Sequence, residues 1–315
     1  MRRVRELPRF DGPEEMGESS SPERSNPPPP PQPPEPPPPQ PPEPTPQKVT
    51  FQKPSYYLTV CAIARDELDL LEWIAYQFAI GVEHIHLFDN ESIIPIAERI
   101  PKWIEAGKVS VERVRGRRVQ TQCYTRHLRR AQSQWTAYID VDEFMLPHHT
   151  DDLKTVLAGF EKFGALIIPW ITFGSNGHQA RPESVLEAYT MRGPKRFSLY
   201  GSLPQHKSIV QNRFAWKCPN PHYFRYLSGH YSVDTNRKRH WGWHSTSRPE
   251  VVQLNHYMTK SGEDWLLKQE RLGGFTAKPR SQFTWDAVES KCNQIEDLGI
   301  LRFMPAVKAL MEEFR

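Results

Sequence analysis

Apolar positions fall in two rhythms along this chain. Residues 56–64, YYLTVCAIA, form a nearly unbroken apolar run with β-branched members, which predicts a buried strand. A polar break, Arg65-Asp66-Glu67, follows. In LDLLEWIAYQFAIGV, residues 68–82, the period changes. Leu71, Ile74, Ala75 and Phe78 recur at helical spacing, and Gly81 marks the helix end. HIHLFDN, residues 84–90, restores a strand and closes a strand–helix–strand unit, the sign of a parallel sheet. The alternation continues with a helix over 96–106 closed by Gly107, a strand over 109–113, a helix over 122–133 and a buried strand over 135–139. A helix over 153–163 and a strand over 165–169 come next. After Trp170 the pattern thins, with strands expected at 207–211 and 251–256 and helical pieces from 263 to 315. The whole predicts an α/β fold, an open and mostly parallel sheet flanked by helices, with ligands at the strand C-terminal ends.

Composition separates the first fifty residues from the rest. They hold 18 of the 31 prolines, and Phe10 is their only aromatic. Such a segment buries too little apolar surface to offset its ordering entropy. Residues 1–54 are therefore expected to be a disordered, proline-rich tail, and 55–315 one globular unit. The tract at 22–46 favours polyproline II. It serves as a spacer, or as a ligand for an SH3- or WW-type partner. The formal charge is +4 overall, −2 in the tail and +6 in the remainder, which suits an anionic ligand and decides nothing alone. Cys61, Cys123, Cys218 and Cys292 make no C-x-x-C pair, which argues against a zinc ribbon and for buried free thiols. No apolar stretch is long enough for a transmembrane helix, and the basic N-terminus lacks an apolar run behind it.

The strongest chemical signal is YIDVDEF at 138–144. Read as a continuing strand, it puts Asp140 and Asp142 on one face and Ile139 and Val141 on the other, toward the core. Two carboxylates at a sheet mouth suit a hard divalent cation that also grips phosphate oxygens. The plain alternative is a solvated strand end that caps the next helix.

Five segments in order resemble the glycosyltransferases of family 92 and the related "glycosyl transferase family 2" proteins. They are CAIARDELDLLEWIAYQFAIGVEHIHLFDNES, QCYTRHLRRAQSQWTAYIDVDEFMLP, PWITFGSNGHQARPESVLEAYTMR, LPQHKSIVQN and VQLNHYMTKSGEDWLLKQERLGG, spanning about 56–275. Two segments depart from the pattern: Arg65-Asp66-Glu67 stands where the turn is usually Lys-Asn-Glu, and Arg271-Leu272-Gly273 where it is usually Arg-Gly. The resemblance implies a GT-A type fold for residues 55–315, a nucleotide-sugar donor, a glycan or other hydroxyl acceptor and dependence on Mn²⁺ or Mg²⁺. It implies that Asp140 and Asp142 form the donor–metal motif and that His256 is a third metal contact. A UDP-hexose such as UDP-galactose is the expected donor, and inversion the expected stereochemistry. A Golgi enzyme behind an N-terminal anchor and a cytoplasmic enzyme both suit these residues.

The remaining roles follow from such a pocket. Arg65 and Asp89 end strands and face the base, ribose or diphosphate, or else serve the turns they stand in. Lys207, on an apolar strand, is a phosphate candidate, and Arg126, Arg129 and Arg130 are a solvated face or part of a diphosphate site. Phe173-Gly174-Ser175-Asn176-Gly177-His178 lacks a phosphate-loop pattern and is expected to be a flexible acceptor or donor loop. Trp170, Trp241, Trp243 and Tyr223 offer planes for sugar rings or pack in the core. Glu143, Glu263 and Asp264 are candidate bases for the acceptor hydroxyl. Two readings compete with the enzyme. One is nucleic-acid binding through the arginines of 113–130 and Arg237-Lys238-Arg239, although no helix-turn-helix, RRM or zinc-finger pattern is present. The other is an inactive scaffold with an interaction tail, which the intact Asp140, Asp142 and His256 oppose.

Overall fold

The computed structural model of the chain describes residues 53–197, 203–245, 249–270 and 285–315. The proline tract and Leu272 lie outside the described residues. The first strand, β1 (Tyr56–Ala64), has the bounds its apolar run predicts and is buried over most of its length. Helix α1 (Leu70–Ala79) follows, then β2 (His84–Asn90). Gly81 ends α1 with φ +94°, a conformation that costs a residue with a Cβ. A Cβ there would also strike the Asp152 side chain.

The expected helix over 96–106 is two short ones, α2 (Ile96–Arg99) and α3 (Pro101–Glu105). Pro101 is the reason. It has no N–H for the ladder, and it drives Ile100 out of helical geometry. Strand β3 (Val109–Val114) leads to α4 (Gln120–Leu128), which starts and stops earlier than its expected span. Then come β4 (Ser133–Tyr138), β5 (Glu143–Pro147) and α5 (Leu153–Leu157), which a 3₁₀ turn over Ala158–Phe160 prolongs. Strand β6 (Ala165–Thr172) is buried at every residue. After it come α6 (Val185–Ala188), β7 (Met191–Arg192), β8 (His206–Gln211), β9 (Ala215–Asn220) and β10 (Tyr223–Tyr226). The chain ends with β11 (Ser232–Val233), β12 (Arg239–His240), β13 (Val252–His256), α7 (Gly262–Glu270), α8 (Trp285–Cys292), β14 (Ile295–Glu296) and α9 (Met304–Glu313).

The main sheet runs β12-β11-β6-β8-β4-β1-β2-β3. On one side β4, β1, β2 and β3 are all parallel. On the other, β8 is antiparallel to both β4 and β6, so the sheet is mixed there. The open α/β architecture thus holds. Between β1 and β4 the strand order reverses, since β1 pairs with β2 on one edge and β4 on the other. Such a switch point leaves a crevice at the strand C-terminal ends.

Helix α1 is buried nearly all round because the sheet covers one side and α9 the other. Trp73 Nε1 donates to Glu143 O at 2.8 Å, and Tyr76 Oη donates to Met145 O at 2.8 Å. These bonds fasten α1 to β5, the strand that leaves the acidic segment. Strand β13 then brings the C-terminal part back, pairing antiparallel with β5 and parallel with β6.

Candidate functional site

Strand β4 stops at Tyr138, so Asp140-Val141-Asp142 is a turn and not the strand end that the alternation suggested. The turn closes with Glu143 N–H donating to Asp140 O at 3.1 Å. Ile139 and Val141 are nonetheless buried, as the strand reading required. The correction concerns the carboxylates. A turn lets each take its own direction and its own partners.

Asp140 accepts from Gln120 Nε2 at 2.8 Å on one oxygen and from Lys207 Nζ at 2.8 Å on the other. Asp142 Oδ2 accepts from Lys268 Nζ at 2.5 Å, and its Oδ1 lies 3.7 Å from His256 Nε2. Burial opposes ionisation of both carboxyls. The ammonium of Lys207 outweighs it at Asp140 and holds that group below the usual range. Lys268, with His256, holds Asp142 well below it. Burial dominates at His256 and lowers its pKa against the pull of Asp142, which leaves a neutral imidazole at pH 7. The Trp170 ring packs on that imidazole at 4.2 Å, so Trp170 is part of the site wall.

Lys207 is 1% exposed, and its nearest carboxylates are those of Asp140 and, at 3.8 Å, Glu143. It therefore serves the acidic turn and does not reach outward as a phosphate contact would. Glu143, expected as a base, is fully buried; its Oε2 accepts the Asp140 N–H at 2.8 Å. Burial pushes this carboxyl well above its ordinary range, Lys207 opposes the shift, and Asp140 and Asp142 add to it. An enclosed carboxyl bonded to the Asp140 N–H positions the turn and is out of reach of an acceptor hydroxyl.

The other expected residues divide. Asp89 is buried and accepts the backbone N–H of Ser92 at 2.9 Å and of Ile96 at 3.2 Å, so its turn role is the one the fold uses. Arg65 is exposed at the end of β1, 3.7 Å from the Asp66 carboxylate. The 173–178 segment is not a flexible loop. Phe173 is buried against Tyr257 at 4.8 Å, and Ser175 bonds Glu289 through both its N–H and its hydroxyl. Asn176 N–H donates to Asn293 Oδ1 at 3.0 Å, and a Cβ on Gly174 would collide with Asn293. His178 lies edge-on to Tyr189 at 5.8 Å. Helix α8 thus pins a segment whose glycines suggested mobility. Asp264 pairs with Arg181 and accepts from Ser261 Oγ at 2.9 Å, while Glu263 is exposed and accepts the Arg181 N–H at 3.0 Å. Trp241 and Trp243 are exposed. The four cysteines are buried and free, as expected.

Three neighbours had no assigned role. Gln120 and Lys268 hold the two aspartates. His222, whose Nδ1 is 2.8 Å from His206 O, packs edge-on to Trp170 at 5.2 Å. Burial, with Lys207, brings its pKa down to about 3, so it too is a neutral imidazole. The family-like pattern included Lys268, but only its tertiary partner shows what it does.

The chemistry of this donor set suits a divalent ion of intermediate hardness, with two carboxylates and a neutral imidazole. The 3.7 Å between Asp142 Oδ1 and His256 Nε2 exceeds a hydrogen bond. Among the described residues, however, no group of three His, Cys, Asp or Glu side chains is placed so that it could hold a metal ion.

Comparison with known proteins puts this geometry in context. The sequence pattern of "Glycosyltransferase family 92" matches residues 56–286. A glycosyltransferase family 92 protein of Oryza sativa subsp. japonica is 28% identical over 174 residues, which is 51% of this chain and 28% of the relative. The chain thus spans under a third of that relative's length. Among solved structures, S. aureus TarS (1–349) in complex with UDP superposes with a TM-score of 0.33 at 16% identity, over 50% of this chain and 47% of that one. The mannosyltransferase PcManGT of Pyrobaculum calidifontis, in complex with GDP-Man and Mn²⁺, gives 0.29 at 19% identity, over 40% and 39%.

Proposed function

The chain belongs to glycosyltransferase family 92, and from that premise we propose that it transfers a hexose from a nucleotide sugar, in the first instance a UDP-sugar, to a glycan or other hydroxyl acceptor. The observation that carries the reading is the meeting of Asp142 and His256 across 3.7 Å at the sheet's switch point, with Asp140 two residues away. These three residues would hold Mn²⁺ or Mg²⁺. Bound there, the ion would supply positive charge for the diphosphate that leaves as the sugar is transferred.

The chain's own residues do the rest. Glu143 and Gln120 set the direction of Asp140, one through its backbone N–H and the other through its carboxylate. Lys207 keeps Asp140 ionised, and Lys268 does the same for Asp142, so both carboxylates are charged at pH 7. Trp170 fixes the imidazole of His256 and excludes water from its face. Inversion calls for a carboxylate to take the acceptor proton. Of the three considered, Glu263 is the exposed one, on the first turn of the helix that carries Lys268.

The test is transfer and hydrolysis with a panel of UDP- and GDP-sugars, with and without Mn²⁺, together with thermal shifts for the same pairs. The reading requires stabilisation by at least one donor and its loss in Asp142→Ala. Unchanged activity in that variant would remove the metal assignment. Absence of any donor effect would remove the enzyme reading.

A further inference from the structure

Helix α4 carries a second feature that the site above does not use. A cavity of about 750 Å³ opens between α4 and β9, lined by Thr121, Thr125, Arg126, Arg129, Arg130 and Lys217, among others. Its wall is a built junction. Thr125 Oγ1 donates to Thr121 O at 2.8 Å and accepts the Cys218 N–H at 3.1 Å. Gln120, which holds Asp140, stands at the start of the same helix. Nine residues at the helical rise put Arg129 about 13 Å further along the axis. Arg129 and Arg130 thus lie at the far end of the helix whose first turn, through Gln120, holds the acidic turn.

The charge around it is one-sided. The charged residues that line it are all cations, Arg126, Arg129, Arg130 and Lys217. A helix face that only faces water shows mixed signs. Glu112 pairs with Arg126 at 2.7 Å, with both side chains more than a third exposed. Such pairs are weak and exchange readily for a stronger anion. Arg129 and Arg130 are exposed and meet no carboxylate among the described residues. The field is felt nearby. Burial first, and the charges of His84, Arg126 and Arg130 with it, bring the His86 pKa down to about 4.

We propose that this cavity is an anion-binding site for a compact polyphosphate group. With Arg126 exchanged off Glu112, the three arginines carry a charge of about +3. One phosphomonoester supplies about −1.5 to −2, so two are needed to match it. The planar guanidinium forks take phosphate oxygens two at a time. The volume accommodates a group of inositol-phosphate or sugar-bisphosphate size. The same headgroup chemistry can come free in solution or on a lipid.

The test uses the full chain. Calorimetric titration with pyrophosphate and with inositol trisphosphate is expected to show binding at low salt that weakens as salt rises. The double variant R129Q/R130Q, changed only at exposed positions, is expected to weaken it by about tenfold or more with an unaltered melting temperature. Phosphatidylcholine vesicles containing phosphatidylinositol bisphosphate separate the two sources. Co-sedimentation lost in the variant assigns a lipid headgroup, and trisphosphate binding without co-sedimentation assigns a soluble ligand. Either result supports the site. It is overturned if neither probe binds, if R129Q/R130Q binds as well as wild type, or if a single-stranded oligonucleotide binds more tightly than both probes through these arginines. Donor binding at the acidic turn is measured separately on the same variant and is expected to be unchanged, so failure here leaves the transferase reading standing.

Discussion

The acidic turn at 140–142 and the Asp69–Arg181–Asp264 chain each balance two carboxylates against two cations. Asp69 takes Arg181 and, at 2.5 Å, Lys260; Arg181 also takes Asp264. Here each charge has a partner within the network, and Lys260 acts on Asp142 as well. The network ties the start of α1 to the 181 segment and to α7. Even the left-handed backbone of Lys260, φ +53°, is held in place by its ion pair. The acidic turn is matched just as evenly, by Lys207 and Lys268, but it has donors to spare. His256 and His222 are neutral there, and Asp142 Oδ1 faces an imidazole beyond hydrogen-bonding reach. Equal charge balance therefore separates structure from function less well than unspent ligands do.

That contrast can be broken by single substitutions. The largest expected effect is on activity: Asp142→Ala should lower donor turnover by more than about 100-fold. The fold should survive, since Lys268 can swing to water. An equal loss from Asp69→Asn at unchanged stability would erase the distinction between the two systems. Asp69→Asn should instead cost about 3 kcal/mol, because it strands Lys260 in a largely buried place while Arg181 keeps Asp264. Denaturant unfolding measures this, and a loss well under 1 kcal/mol would contradict it. His256→Gln should weaken Mn²⁺ affinity by about tenfold in calorimetry, with the melting temperature close to wild type. Wild-type affinity in that variant would take His256 out of the ligand set.

The smallest effect concerns pH. The carboxyls of Asp140 and Asp142 have lowered pKa values in the fold, so their stabilisation is present above the ordinary carboxylate range and fades as pH falls through the folded values. Glu143 has the opposite sign. Its folded pKa lies well above 4.5, so the folded state holds a proton that the unfolded state releases, and stability is lost as pH rises past 4.5. Glu143→Gln removes that loss and keeps an acceptor for the Asp140 N–H. Relative to wild type it should gain stability from pH 4.5 to 7.5. A constant difference between the two melts across that range would mean that Glu143 is ionised in the fold.

Much of the first half was legible from pattern alone. β1, α1 and β2 form from contiguous residues whose apolar period matches their environment, so YYLTVCAIA and HIHLFDN sufficed to locate them. The later strands were less so. β11 and β12 are two residues each, too short to carry a period, and β9–β10 is a hairpin with mixed burial. The flexibility expected of 173–178 came from its glycines. What removed it was Glu289 and Asn293, more than a hundred residues away.

The sequence by itself determined the open α/β plan, the buried thiols and the pairing of Asp140 and Asp142 near a sheet's C-terminal edge. Each of these depends on neighbours within a few residues, and local periodicity and spacing record such neighbours. Only the tertiary structure decided what those carboxylates face. It turned the expected strand end into a turn, spent Lys207 and Lys268 on the two aspartates, enclosed Glu143 and brought His256 to Asp142. Ionic and ligand contacts depend on distance through space. Residues 67 to 126 positions apart set the charge of this site.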